Sequence, residues 1–256
     1  MAKAQSFIWY ELMTTDTEAA KAFYRAVVGW KTQAFGGGTH YDVLDAGDGQ
    51  VGGIMALPPE AAATGLQPCW TGYIGVDDVD AAAKRIEEAG GTIHRAPGDI
   101  PDVGRFAVVA DPQGAVFLLL KGASEDPPPE AFKAARPRHI GWNELHTTDW
   151  QAALAFYAKL FGWAKSDALD MGAMGTYLLF NAGGDAIGGM MNSPRFPRPA
   201  WLFYFNVEDI DAAHKRATAA GGRVTQGPSE VPGGSWIIQG IDPQGAMFAL
   251  VGPRTS

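Results

Sequence analysis

This chain of 256 residues holds a single cysteine, Cys69, so it closes no disulfide within itself. A lone thiol fits a reducing compartment, and the expected location is the cytoplasm. No apolar run reaches the eighteen or so residues of a membrane span, so no membrane partner is expected. The opening MAKAQSFIWYEL lacks the apolar stretch of a secretory signal. Positive charge is scarce: 20 Lys and Arg stand against 28 Asp and Glu, a net charge of −8. Tracking a phosphate backbone needs clustered cations, so a nucleic-acid partner is not expected either. The five histidines, His40, His94, His139, His146 and His214, show no HxH or HExxH spacing.

What the chain has instead is repetition. WYELMTTDTEAAKAFYRAVVGW, from Trp9, matches WNELHTTDWQAALAFYAKLFGW, from Trp142, at thirteen of twenty-two positions without a gap. GGIM at Gly52 answers GGMM at Gly188, PCWTGYIGVDDVDAA at Pro68 answers PAWLFYFNVEDIDAA at Pro199, and DPQGA occurs at Asp111 and Asp242. The offset moves from 133 to 136 to 131, as small loop insertions and deletions would make it. Self-similarity of this extent implies two domains of one fold. They are expected at residues 1–123 and 139–256, joined by a linker at 124–138 whose three consecutive prolines suit neither a helix interior nor a central strand.

Each domain divides again. Phe7–Met13 is aromatic and branched, as a strand is. Thr14, Thr15 and Asp16 stop it and supply a helix cap. Ala20, Phe23, Tyr24 and Val27 recur at helical spacing, and Gly29 ends the helix. Strands are expected near 30–35, 39–46 and 50–57, with turns at Gly36–Gly38 and Asp48–Gly49. The second quarter repeats the order: a strand at Trp70–Val76, a helix at Asp78–Ala89 stopped by Gly90–Gly91, and strands near 92–96, 104–110 and 115–121. Four βαβββ units result, an α+β chain. One helix covers one face of each sheet. Two curved sheets facing each other would then form a half-open barrel with a cavity.

The motif D-x-x-x-A-x-x-F-Y-x-x-x-x-G-W, here Asp16, Ala20, Phe23, Tyr24, Gly29 and Trp30, recurs as Asp149, Ala153, Phe156, Tyr157, Gly162 and Trp163. With the DPxG hairpins at Asp111–Gly114 and Asp242–Gly245, it resembles the vicinal oxygen chelate superfamily of glyoxalase I, bleomycin-resistance and extradiol dioxygenase proteins. The tandem W-x-E-L-x-T-T-D pattern is similar to a two-domain glyoxalase-like subgroup that includes a mycobacterial 27 kDa antigen. The resemblance implies four βαβββ units paired into two glyoxalase-like domains. It leaves activity open, because one fold hosts isomerases, dioxygenases and sequestering proteins.

The resemblance also implies where a metal would be held: seven residues before each helix-starting Asp and seven after the Asp of each DPxG. Those positions are Trp9, Trp142, Thr71, Leu202, Leu118 and Ala249. None carries the imidazole, carboxylate or thiolate such sites use. No metal and no cofactor are therefore expected.

Strand alternation places Trp9, Glu11 and Met13 on one face, and Ile8, Tyr10 and Leu12 on the other, where they should pack on Phe23 and Val27. Trp142, Glu144 and His146 follow the same rule. Glu144, His146 and Glu11 are thus the candidate catalytic residues: a buried carboxylate acts as a base, or anchors a ligand's hydroxyl or amine, or ties strand to loop by bonding backbone. Trp9, Trp142, Met13, Thr71, Arg105 and Trp236 are the candidate ligand-binding residues, the last two from Gly/Pro loops that could rim the cavity. The expected function is binding of a small, partly apolar organic ligand, with metal-independent lyase or isomerase chemistry in the second domain. Two alternatives stay open: a metal-dependent glyoxalase or dioxygenase using Glu144 and His146, and a non-catalytic scaffold that forms a homodimer through sheet edges.

Overall fold

A computed structural model describes residues 5–36, 41–124, 128–193, 196 and 198–255. His40 and two glycines of the expected 36–38 turn lie outside the described residues. The first quarter contains β1 (Phe7–Thr14), α1 (Thr17–Val27), β2 (Lys31–Ala34), β3 (Tyr41–Asp45), β4 (Gln50–Ala56) and a short α2 (Pro59–Ala63) that periodicity did not announce. The second contains β5 (Cys69–Gly75), α3 (Val79–Glu88), β6 (Thr92–Ile100), β7 (Gly104–Ala110) and β8 (Val116–Gly122). The third contains β9 (Ile140–Thr147), α4 (Trp150–Phe161), β10 (Ala164–Asp170), β11 (Thr176–Asn181) and β12 (Ala186–Asn192). The fourth contains β13 (Ala200–Asn206), α5 (Ile210–Ala219), β14 (Arg223–Glu230), β15 (Trp236–Ile241) and β16 (Met247–Gly252).

The local signals act as their chemistry dictates. Asp16, Asp78, Asp149 and Asp209 each accept a hydrogen bond from the amide three residues on, at 3.0, 2.9, 3.0 and 2.7 Å. Each such cap is worth about 1 kcal/mol. The buried positions of α1 are Ala20, Phe23, Tyr24 and Val27, the stripe the spacing marks. Gly29 follows α1 at φ +89° and Gly162 caps α4 at φ +74°, both in the left-handed region that glycine enters without strain.

The first half forms one eight-stranded sheet, in the order β2-β3-β4-β1-β5-β8-β7-β6, and the second forms another, β10-β11-β12-β9-β13-β16-β15-β14. β1 runs parallel to β4 and β9 to β12; the flanking hairpins are antiparallel.

Compactness follows a different division. One compact unit draws on residues up to Ile8, Gly72–Pro128 and Asn143–Trp201; the other on Trp9–Thr71, Pro129–Trp142 and residues from Leu202 onward. Each unit joins a quarter of the first half to a quarter of the second. In the unit carrying Glu11, Phe23 of α1 meets Phe248 of β16 at 5.4 Å between ring centroids, and Trp30 meets Phe205 at 4.8 Å. Phe23, 2% exposed, is thus packed against the fourth quarter. In the unit carrying Glu144, Tyr157 packs on Trp163 at 4.8 Å and on Phe117 at 5.6 Å.

The described part of the linker is built into the unit carrying Glu11. Phe132 bridges to Ile140, the Arg138 amide donates to the Asn206 carbonyl at 2.9 Å, and the Trp30 indole donates to the Arg138 carbonyl at 2.6 Å. Asp48 takes Arg136 at 2.9 Å. The segment from Pro129 is thus part of this compact unit, with Ala131, His139 and Ile140 buried and Pro129, Glu130, Ala134, Ala135 and Arg136 exposed.

Candidate functional site

In the unit carrying Glu144, three side chains meet on one face of the sheet. Glu144 and His146 stand two apart on β9, so both project the same way. Both are buried, at 6% and 4% exposure. His146 Nε2 lies 2.7 Å from Glu144 Oε1, at ion-pair distance but off the alignment of a hydrogen bond. The other carboxylate oxygen, Oε2, accepts a 2.8 Å hydrogen bond from the Tyr177 hydroxyl. Tyr177 belongs to β11, two strands away. Its ring crosses β12 over Gly189, where a Cβ would sit 2.2 Å from the ring carbon Cζ. Only a residue without a side chain lets the tyrosine reach across. Phe196 stacks on the imidazole, with centroids 3.8 Å apart and planes 17° off parallel. His146 Nδ1 has no hydrogen-bond partner among the described residues.

The unit carrying Glu11 repeats the device without the histidine. Tyr41 of β3 lies over Gly53 of β4, with a Cβ there 2.1 Å from the hydroxyl, and is hydrogen-bonded to Glu11. The Trp9 indole donates to the Tyr41 hydroxyl at 2.8 Å. Burial, and then the charge of Glu11, hold the Tyr41 hydroxyl well above the ordinary phenol range. The same two causes push the Cys69 thiol up to about 11, which leaves it protonated and unreactive at neutral pH. The Thr71 hydroxyl is buried 3.4 Å from the Glu11 carbonyl oxygen. Met13, half-buried, occupies the place that His146 takes in the other copy.

The structure thus brings together Glu144 with His146, and Glu11 with Trp9 and Thr71. Trp142 is half-buried on β9 at the position matching Trp9. Two loop candidates are engaged elsewhere. Arg105 grips Asp80, on the first turn of α3, with the Nε–Nη2 edge of its guanidinium, and Asp99 through Nη1 at 2.9 Å, an ion-pair cluster at the surface. Trp236 lies under the Arg254 guanidinium at 4.4 Å. Sequence reasoning missed Tyr41 and Tyr177. The signal was there: each stands twelve residues before the second glycine of GGIM or GGMM, at the same 136-residue offset as those glycines.

A model of the glyoxalase/bleomycin resistance protein/dioxygenase superfamily matches residues 6–119 and again 138–250. The chain belongs to this superfamily. It is 35% identical to the glyoxylase-named protein CFP32 of Mycobacterium tuberculosis, over 96% of this chain and 94% of that one. It is 32% identical to the anthracycline biosynthesis protein DnrV of Streptomyces peucetius, over 95% and 91%. Among solved structures, the Mn(II)-bound glyoxalase of Novosphingobium aromaticivorans superposes with a TM-score of 0.68 at 17% identity, covering all of this chain and 84% of that one. The 2,3-dioxygenase LapB of Pseudomonas sp. KL28 gives 0.68 at 13%, covering all of this chain and 94% of that one. At such identities the likeness is one of fold.

The superfamily's metal positions fall here on the Trp9 and Trp142 indoles, the Thr71 hydroxyl, and the buried alkyl groups of Leu118, Leu202 and Ala249. Indole and alkyl groups offer no lone pair to a divalent ion. Among the described residues no three His, Cys, Asp or Glu side chains gather as metal ligands. The donor set at these positions does not fit a divalent cation. No helix among the described residues is long and apolar enough to cross a membrane.

Proposed function

We propose that this superfamily member binds a small, partly apolar organic molecule on the inner faces of β1 and β9, and that the second half carries out metal-independent lyase or isomerase chemistry on it. The observation that carries the reading is the Tyr177–Glu144–His146 group. An imidazole braced on one nitrogen by a buried carboxylate, itself held by a hydroxyl, is the arrangement of an oriented general base. A proton taken from a carbon beside a carbonyl and returned at a different atom is an isomerisation. If a leaving group departs from the next carbon instead, the same proton transfer is a lyase step. Glu144 steadies the imidazolium that forms. In the first half Met13 removes the proton acceptor, so that copy is proposed to bind without transferring protons.

The test is proton exchange. Small hydroxy-ketones are incubated with the protein in deuterated water, and carbon-bound deuterium is read by mass spectrometry. Glu144→Gln and His146→Gln are each expected to lower the exchange rate by about one to three powers of ten, with the double variant less than additive. Folded single variants that bind and exchange like the wild type overturn the reading.

A further inference from the structure

We propose that the ligand of the His146 site is an uncharged molecule bearing a hydroxyl, whose O–H donates to His146 Nδ1. The inference rests on the binding site proposed above and names the chemistry of what enters it.

The argument is a count of donors and acceptors around one ring. A neutral imidazole carries its proton on one nitrogen and a lone pair on the other. Nε2 lies 2.7 Å from Glu144 Oε1, off the alignment of a hydrogen bond, and the carboxylate charge at that distance favours the proton of the neutral ring on Nε2. Nδ1 is then an acceptor. It is buried and has no partner among the described residues. Buried acceptors in folded chains are nearly always satisfied, so one left bare beside a candidate base calls for a donor. The group that completes it must be a donor. An alcohol or enol O–H fits, whereas an ether or ketone oxygen meets the lone pair with one of its own. An anionic ligand is disfavoured by the Glu144 carboxylate beside the ring. Oε2 of Glu144 is already taken by Tyr177, which holds the carboxylate, and with it the ring, in this orientation. Phe196 covers the imidazole face at 3.8 Å. Because Nδ1 is buried in the free chain, the hydroxyl gains it only as the packing around the imidazole opens, and the half-buried Phe196 ring, stacked on the imidazole face, is the neighbour whose displacement frees the ring.

The probes are benzyl alcohol and benzyl methyl ether, which differ in the donor and little else. Binding to the full chain is followed by NMR, reading the β9 amides and the ring nitrogens of His146. The alcohol is expected to bind at least about tenfold more tightly than the ether, about 1.4 kcal/mol, and to shift the Nδ1 resonance where the ether does not. In His146→Phe the two probes are expected to bind alike, and in Phe196→Ala the alcohol is expected to bind more tightly than in the wild type. The Nδ1 shift is read in wild-type protein, so it stands even if the ring variant folds poorly. Equal affinities for the two probes, with β9 amides responding to both, overturn the donor inference and leave the binding site in place. No response of β9 to either probe overturns both.

Discussion

Tyr24 and Asp242, 218 positions apart, are joined by a buried hydrogen bond: the phenol donates to Asp242 Oδ2 at 3.0 Å. The Trp70 indole donates in turn to the Tyr24 oxygen at 2.8 Å. Asp242 Oδ1 accepts from the amides of Gln244 and Ala246, which shapes the DPQG turn. The other compact unit builds the same chain from Trp201, Tyr157 and Asp111, at 3.2 and 3.2 Å. The tyrosine of each long repeated motif thus meets the aspartate of a DPQG turn in the opposite half. Each of these two aspartates thus takes its side-chain donor from the other half, which gives the tandem repeat a physical reason.

Tyr24→Phe and Tyr157→Phe should each destabilise the protein by about 1–3 kcal/mol, because each leaves a buried carboxylate oxygen without its donor. Denaturant melts monitored by tryptophan fluorescence check this. Wild-type midpoints in both variants would show that the bond carries no net stability.

Burial raises the carboxyls of Asp111 and Asp242 above their ordinary value of 3.8, against the opposing pull of their backbone and tyrosine hydrogen bonds. A carboxyl raised in the folded state binds a proton there before the unfolded chain does. Its contribution is fully present below the unfolded value and is lost as pH rises through the folded one. Stability should therefore fall with rising pH across that window, and the slope should flatten in the Asp111→Asn, Asp242→Asn double variant. Melts at a series of pH values decide it; an unchanged slope assigns the pH dependence to other groups.

Phe23→Ala and Phe156→Ala should each cost about 3–5 kcal/mol, as buried aromatic truncations do. Because Phe23 packs on Phe248, the Phe23→Ala, Phe248→Ala pair should be less than additive. Full additivity in denaturant melts would place the Phe23 anchor elsewhere.

Gly53→Ala and Gly189→Ala should each cost about 1–3 kcal/mol, since the added methyl meets the Tyr41 or Tyr177 ring. Removing the ring should relieve the clash: Gly189→Ala in a Tyr177→Ala background should be near neutral. In Gly189→Ala the His146 ring resonances should also move, as the displaced tyrosine releases Glu144. Equal costs in the two backgrounds would show that the glycine is needed for its backbone alone.

Purified protein should carry no stoichiometric divalent ion, because the superfamily's metal positions present indole, hydroxyl and alkyl groups. Elemental analysis showing about one Ni, Zn or Fe per domain, removed by a chelator with loss of activity, would contradict this.

Short-range pattern determined the elements. Asp16 before an apolar stripe, Gly29 after it, and alternation along Trp9–Met13 are properties of neighbouring residues, and backbone sterics act on neighbours. The repeat carried the fold, since a motif written twice must be built twice. It also made Glu144 and His146 legible as a pair, because two residues two apart on a strand share a face. The tertiary structure decided the partners. That Phe23 packs on Phe248, that Tyr24 holds Asp242, and that the prolines of the linker lead into a packed segment all depend on contacts between distant quarters. Arg105 of β7 finds its partners, Asp80 on α3 and Asp99 on β6, across three elements. Tyr177 reaches Glu144 only because β11, β12 and β9 lie in that order with Gly189 between them. Strand order is set by which long-range pairing buries the most apolar surface, a comparison among many registers that no local run of residues encodes.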